Sequence, residues 1–476
     1  MLEGLEISEI LHSEVDHIKF RLDAEYYRKH FLEIDEKIKS IGETNLINIE
    51  AKLDCSAFYP SITEYYDFEG NGVPFLRVNE IKDGLVKLTE STAFLPQSVL
   101  DNNPSTIAIA YPGDLIIAKG GNTLAKVGLI TDQYTKYALS RDIILVRTNK
   151  LKEYNRFFLW LFLHSEYGQA LLWRTASQTG QPHLTLPSIN EINLPKFDLR
   201  FEEIAERLYE SSVLINEKSK ITYSQVETLL LETLGLADFQ PSQEPLNVKS
   251  FSDSFGSSGR LDAEYYQMKY EDYESLVRAY KGGCEAFEIA CSLKDKNFKP
   301  EDKTEYKYIE LSNIGKSGEI TDCTTGFGKE LPSRARRKVA TNDVVISSIE
   351  GSLDSCALVT PEYNNALCST GFYVVNSKKL NPETLLVLFK SKPMQALLKK
   401  GCSGTILTAI SKTGLSKIPI PLIDTDTQKS IKEKINESFK LKKQSEHLLE
   451  VAKRAVEIAI EQDEETAMEY IKNNSI

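Results

Sequence analysis

Long apolar runs are absent from this 476-residue chain: the longest, residues 157–163, has seven members, where a membrane-spanning helix needs about 20. The first twenty residues are acidic and lack a basic segment followed by an apolar one, which excludes a secretory signal, so a cytoplasmic, membrane-free protein is expected. Cysteine is sparse. Its seven copies, an odd number without a C-x-x-C pair, point to reduced packing thiols rather than a disulfide framework. The histidines are His12, His17, His30, His164, His183 and His447, and no two stand at H-x-x-x-H or H-E-x-x-H spacing, which removes the helical metal-hydrolase pattern.

Motifs of catalysis are missing too. Gly315-Lys316-Ser317 resembles the end of a phosphate-binding loop, but Glu310 stands where the first glycine must be, so a turn is expected there. No G-x-G-x-x-G occurs, nor the Asn/Asp-Pro-Pro-Tyr/Phe segment with which amino-methyltransferases hold a flipped base. Gly351-Ser352 lacks the flanking glycines of a nucleophile elbow, and no Ser–His–Asp set can be nominated. No catalytic residue, metal site or cofactor is therefore expected in this chain. Positive charge is also in deficit, 57 Lys and Arg against 69 Asp and Glu, a net −12. A DNA-binding chain usually carries a basic balance, so either the acid is segregated from a nucleic-acid face or basic partners share the phosphate contacts.

What is present is one unit written twice. Arg-Leu-Asp-Ala-Glu-Tyr-Tyr at residues 21–27 returns unchanged at 260–266, an offset of 239 in a chain whose half-length is 238. Weaker echoes follow in the same order: residues 75–81 with 308–314, 114–117 with 343–346, 129–131 with 358–360, 169–172 with 395–398, and 192–195 with 418–421. Their offset only shrinks, from 239 to 226, as it does when scaffold segments are kept and loops shorten.

Each half divides by periodicity. Residues 21 to about 195 hold short apolar runs, such as 106–111, 114–118 and 142–147, broken by turn signals, and a helical stretch over 155–173 closes them. A long helix is predicted over 200–234, stopped at Gly235, with Ile204, Leu208, Leu214, Ile215 and Ile221 as its apolar stripe. The second half repeats the plan, with strand runs over 305–376, a helix over 382–400, and a long helix from about 427 whose stripe is Ile431, Ile435, Phe439, Leu441, Leu448 and Ala455. At ~1.5 Å per residue each long helix spans roughly 50 Å, more than a small β-domain can cover, so the two are expected to pair. The alternative is two unrelated amphipathic helices, each on its own domain. The fold class is α+β: a tandem repeat of two mixed α/β domains, each followed by a long helix, the helices forming an antiparallel coiled coil. The expected boundaries are 1–198 for the first domain, 199–235 for its helix, 236–259 for a Ser-, Pro- and Gln-rich linker, 260–424 for the second domain, and 425–476 for the second helix and tail.

Several segments join flexibility, positive charge and hydrogen-bonding side chains. In residues 118–126 the glycines Gly120 and Gly121 let backbone approach phosphate, Lys119 and Lys126 neutralise it, and Asn122 and Thr123 suit base edges. A plain hairpin with solvated lysines is the competing reading. Residues 174–181 bring Arg174, Ser177, Gln178, Thr179 and Gln181, and their counterpart 399–405 brings Lys399, Lys400, Ser403 and Thr405. Arg334, Arg336, Arg337 and Lys338 form the densest basic cluster, suited to phosphate or to a solvated face. Ser348, Glu350 and Ser352 occupy the place of the first half's glycine loop. Glu350 is there either an acceptor for a cytosine amine or an ordinary surface acid.

Together these residues resemble the type I restriction–modification specificity-subunit family. The most specific parts are the 21–27 and 260–266 openings and the Pro-terminated exits at 189–195 and 415–421. The second exit leads into Gln428-Lys-Ser-Ile431, similar to the family's helix start, whereas Phe201-Glu-Glu-Ile204 lacks the glutamine. The resemblance implies two target-recognition domains reading the halves of a split, asymmetric double-stranded DNA site, with paired helices fixing the gap between them. It also implies two adenine-methyltransferase subunits docked on the helices, and ATP-dependent restriction and translocase subunits. S-adenosylmethionine, ATP and magnesium would then be held by the partners. A specificity polypeptide of another modification or phage-defence system, and a coiled-coil scaffold that binds no DNA, are the alternatives.

Overall fold

The computed structural model describes residues 7–12, 15, 21–57, 60–89, 91–177, 182–244, 246–404 and 408–475. The candidates Gln178, Thr179, Gln181 and Thr405 lie outside the described residues. The fold is α+β, with mixed sheets and long helices, and the chain divides into two compact units, Met1–Leu214 with Gln444–Ile476, and Ile215–Lys443.

In the first unit a sheet runs in the order Lys52–Asp54, Ile143–Arg147, Leu115–Ala118, Val127–Leu129, Leu85–Val86, Ile81–Lys82. Leu115–Ala118 is apolar throughout, and Ile143–Arg147 is apolar up to its last residue, because both faces of these inner strands are covered. A second sheet orders Ala93–Leu95, Val73–Leu76, Tyr137–Leu139 and Ile109–Ala110, with its middle pair parallel. Asp114, buried before its strand, accepts the amides of Tyr111 at 2.9 Å and Thr148 at 3.2 Å and so closes the turn that feeds the sheet.

The second unit repeats these arrangements. One sheet orders Ser292–Lys294, Phe372–Asn376, Val344–Ser347 and Cys356–Leu358, and the other orders Thr324–Phe327, Glu305–Ile309, Leu367–Ser369 and Ala335–Lys338, again with a parallel middle pair. Asp343 takes the role of Asp114, accepting Ala340 N–H at 2.9 Å. Four thiols, Cys291, Cys356, Cys368 and Cys402, are buried in this unit, and burial pushes the first three up to about 12.

The single helices expected over 155–173 and 382–400 are each two. Arg156–His164 and Glu166–Thr175 meet at Ser165, and Pro382–Lys390 and Lys392–Lys400 meet at Ser391. Both serines are extended, at ψ 165° and 146°. Continuing the first helix through Ser165 is not required by the apolar pattern, because the serine caps the next turn, its Oγ accepting Gly168 N–H at 3.3 Å. A Cβ at Gly168 would lie 2.0 Å from Phe162 O, so the sharp bend needs glycine.

The long helices run Leu199–Leu234 and Thr425–Glu461. Within the first unit Ser212 and Ser445 exchange reciprocal bonds, each hydroxyl donating to the other's carbonyl at 2.9 and 2.8 Å. Within the second, Ser219 and Ser438 do the same at 2.8 and 2.9 Å. Val226, Leu230 and Leu234 share the second unit's core with Ile431 and Ile435. The expected stripe needs correcting: Leu214 is 73% and Ile221 52% exposed, and the buried line passes through the serines instead.

Glu202, in the first turn of the first long helix, is 2% exposed and accepts Asn155 N–H at 2.9 Å. Burial pushes its carboxyl from 4.5 up to about 7, helped by Glu464 and Asp198 nearby. The folded unit thus holds this proton more tightly than the unfolded chain, so stability falls as pH rises from about 4.5 to 7 and levels above. Glu202→Gln is expected to remove that decline and to stabilise the first unit at pH 8 by an upper bound of about 3 kcal/mol. Denaturant titrations at pH 5 and 8 read this directly; an equal decline in both proteins would refute it.

Candidate nucleic-acid interface

The glycine loop of the first half meets the chain returning from the 174–181 segment, at His183 and Leu184. Leu115–Ala118 ends at Lys119, whose carbonyl accepts Leu184 N–H at 2.8 Å, and Gly120 forms an antiparallel bridge to His183. Ser177 N–H donates to His183 O at 2.9 Å, and His183 N–H to Ser177 Oγ at 3.2 Å. Gly120 is required for this approach, because a Cβ there would lie 2.4 Å from His183 Nδ1. Gly121 sits at φ +70° and opens a short 3-10 turn, Gly121–Thr123, that leaves Gly121 and Asn122 exposed. Thr123 Oγ1 turns inward to Gly120 O at 3.2 Å, and Lys119 Nζ to Arg141 O at 2.7 Å, while Lys126 is exposed. Gln169, the repeated glutamine, ties this loop down, donating to Ala125 O at 2.9 Å and Leu163 O at 2.7 Å.

The second unit builds the same junction from other side chains. Val344–Ser347 ends at Ser348, whose carbonyl accepts Ile410 N–H at 2.8 Å, Ile349 bridges Ala409, and Cys402–Ser403 pairs with Ala409–Ile410. Gln395 ties the loop at Leu353 O, 3.0 Å, and Phe389 O, 2.6 Å, as Gln169 does in the first unit. Glu350 is half-buried with Lys399 Nζ 3.8 Å away, Ser352 Oγ lies 3.0 Å from Ser347 Oγ, and Ser348 Oγ donates to Gly371 O at 2.8 Å. Ser403 is exposed.

Three of the sequence candidates are drawn inward. Arg174 is 8% exposed; it donates through Nε to Tyr26 O at 2.7 Å, pairs with Asp35, and lies over the Tyr26 ring at 4.3 Å. Lys400 does the same in the second unit, with Glu274 Oε2 at 2.7 Å and the Tyr265 ring at 5.0 Å. Arg337 is the third. The basic cluster lies on Ala335–Lys338, an edge strand whose register shifts between Ala335 and Arg337. The in–out alternation of the strand buries Ala335, Arg337 and Val339 and leaves Arg336 half-exposed and Lys338 exposed, with Arg334 exposed just before it; Arg337 is 9% exposed. Sequence reading missed what the repeated 21–27 and 260–266 segments do, namely meet Arg174 and Lys400; the signal was their identity. Among the described residues no His, Cys, Asp or Glu side chains are grouped to hold a metal ion, and no helix is long and apolar enough to cross a membrane.

Residues 284–451 match the family model of the type I restriction modification DNA specificity domain. A curated relative, the type I restriction enzyme MjaVIII specificity subunit of Methanocaldococcus jannaschii, is 26% identical over 163 residues, 33% of this chain. The match covers 37% of that relative's length. Among solved structures, the type I restriction–modification S subunit from M. genitalium aligns at 11% identity and TM-score 0.34 over 90% of this chain and 95% of its own. The HsdS subunit from Thermoanaerobacter tengcongensis aligns at 15% and 0.26, over 87% and 97%. Residues 284–451 are thus similar to the type I restriction modification DNA specificity domain, and the chain spans little more than a third of the curated relative it matches.

Proposed function

We propose that this chain is the non-catalytic DNA sequence-recognition subunit of a type I restriction–modification complex, each half reading one part of a split, asymmetric site in double-stranded DNA. One observation carries the reading: the same strand-end junction recurs in both units with different side chains at its rim. Lys119, Gly121, Asn122, Ser177 and His183 occupy it in one, and Ser348, Glu350, Ser352, Lys399 and Ser403 in the other. A shared frame with changed hydrogen-bonding groups is what reading two different half-sites requires. The long helices, paired as an antiparallel coiled coil, dock two adenine-methyltransferase subunits. A groove lined by Ile221, Ser224, Gln225, Thr228, Leu229 and Glu232 offers apolar surface for such a contact. S-adenosylmethionine, ATP and magnesium belong to the methyltransferase and to ATP-dependent restriction subunits, in a cytoplasmic complex whose basic partners offset the net −12.

Methylation profiling of host DNA with the gene present and deleted tests this. A two-part, non-palindromic adenine-methylated motif should vanish on deletion; an unchanged methylome would defeat the proposal. Replacing Arg334 and Arg336 by Ala should weaken binding of the assembled complex to all DNA sequences alike. The log–log salt slope should flatten by about 0.9 per lost phosphate contact. Loss of discrimination at one base position, by about 1–3 kcal/mol, would instead make these arginines base readers.

A further inference from the structure

The seven repeated residues fold into the same clasp in both units. Arg21 grips Asp23 with two bonds, Nε to Oδ1 at 2.6 Å and Nη2 to Oδ2 at 2.7 Å, and Nη1 reaches Thr175 O at 3.4 Å. Arg260 grips Asp262 at 2.8 and 2.5 Å and reaches two carbonyls, Lys400 O at 3.4 Å and Cys402 O at 2.9 Å. Each guanidinium lies over the first tyrosine ring, Arg21 on Tyr26 at 4.6 Å and Arg260 on Tyr265 at 4.4 Å. Arg174 and Lys400 supply a second cation to the same rings, and Asp35 and Glu274 offset that charge. The second tyrosine closes the clasp: Tyr27 OH donates to Arg21 O at 2.9 Å, and Tyr266 OH to Arg260 O at 3.0 Å.

The carbonyls held by the arginines belong to the last residue of Glu166–Thr175, the last residue of Lys392–Lys400, and Cys402 in the arm that pairs with Ala409–Ile410. These are the points from which the Ser177 and Ser403 segments leave the scaffold. A two-pronged arginine fixed by its own carboxylate holds backbone in place with little side-chain freedom. The halves share these seven residues unchanged, where the repeated Gln-Ala-Leu-Leu of 169–172 and 395–398 spans four. Leu22 and Leu261, 79% and 70% exposed, take no part in the clasp and raise the rival reading of the motif as a partner surface.

We propose that Arg21 and Arg260 are positioning residues, each setting the geometry of the recognition loop in its own half through backbone carbonyls. The inference rests on the reading of DNA by those loops. The test uses the full chain with its methyltransferase partners and two variants, Arg260→Ala and Arg260→Lys. The lysine keeps a cation over Tyr265 but cannot hold Asp262 and two carbonyls together, so the weaker lesion keeps the experiment informative should the alanine variant misfold. Hydrogen exchange at the amides of Glu350 and Ile410, which bond across the junction, should accelerate about ten-fold, with the Glu305–Ile309 strand unchanged. The methylated motif should lose base preference in the second half-site alone, and Arg21→Ala should relax the first alone. Unchanged loop exchange, relaxation of both half-sites together, or a matching defect from Leu261→Ser would overturn the positioning role. Faster exchange with an unaltered motif would instead strike the reading of DNA by this loop, leaving the clasp's grip intact.

Discussion

Under the proposed reading of a bipartite site, inserting two residues after Lys220 is expected to abolish methylation, while inserting four leaves an active protein with a longer spacer. The serine bonds fix the helix face within each unit, Ser212 with Ser445 in the first and Ser219 with Ser438 in the second. Two added residues turn everything beyond them by ~200°. Val226, Leu230 and Leu234 would leave the second unit's core, and at about 1.5–3 kcal/mol per buried side chain that unit would lose most of its stability. Four residues turn the helix by only ~40° beyond a full turn and lengthen it by ~6 Å, which the pairing should absorb as a local stutter. With base pairs ~3.4 Å apart, the methylated motif should gain one or two base pairs of spacer, its half-sites unchanged. An active four-residue variant with the original spacer would end the idea that the helices measure the gap.

Phe158→Ala should destabilise the first unit by about 3–5 kcal/mol. The ring is fully buried in Arg156–His164 and meets Tyr154, Phe197 and Phe201 with centroids at 5.7, 5.5 and 6.1 Å. Both tryptophans of the chain, Trp160 and Trp173, lie in this unit, so the fluorescence transition in denaturant reads it selectively. A midpoint that does not move would show that the cluster around Phe158 repacks without cost.

The alternation of strands with helices and the two long helices were legible because they rest on apolar periodicity, which a single sequence displays. The seam between the long helices was not. Ser212, Ser219, Ser438 and Ser445 are polar by composition yet buried, each satisfied by its partner's carbonyl, and no hydrophobic pattern marks them. Apolar Leu214 and Ile221, which the periodicity favoured, face outward. Charge misled in a related way. Arg174 and Arg337 stand in basic, polar stretches, but one is drawn in by Tyr26 and Asp35 and the other faces inward by the alternation of its strand. The first cause lies far off in sequence, and the second needs the strand's inner face to be known. The loop junctions were half legible: the segments were visible, their meeting through Gly120 and His183 was not.

The buried thiols of the second unit make a clock of its openings. With Cys291, Cys356 and Cys368 pushed up to about 12, only about one in ten thousand is a thiolate at pH 8 even before access is considered. An alkylating reagent therefore reacts with them only when their strands or helix ends come apart. Cys356 and Cys368 sit in different sheets, so their separate labelling rates time the two sheets' openings without any added probe.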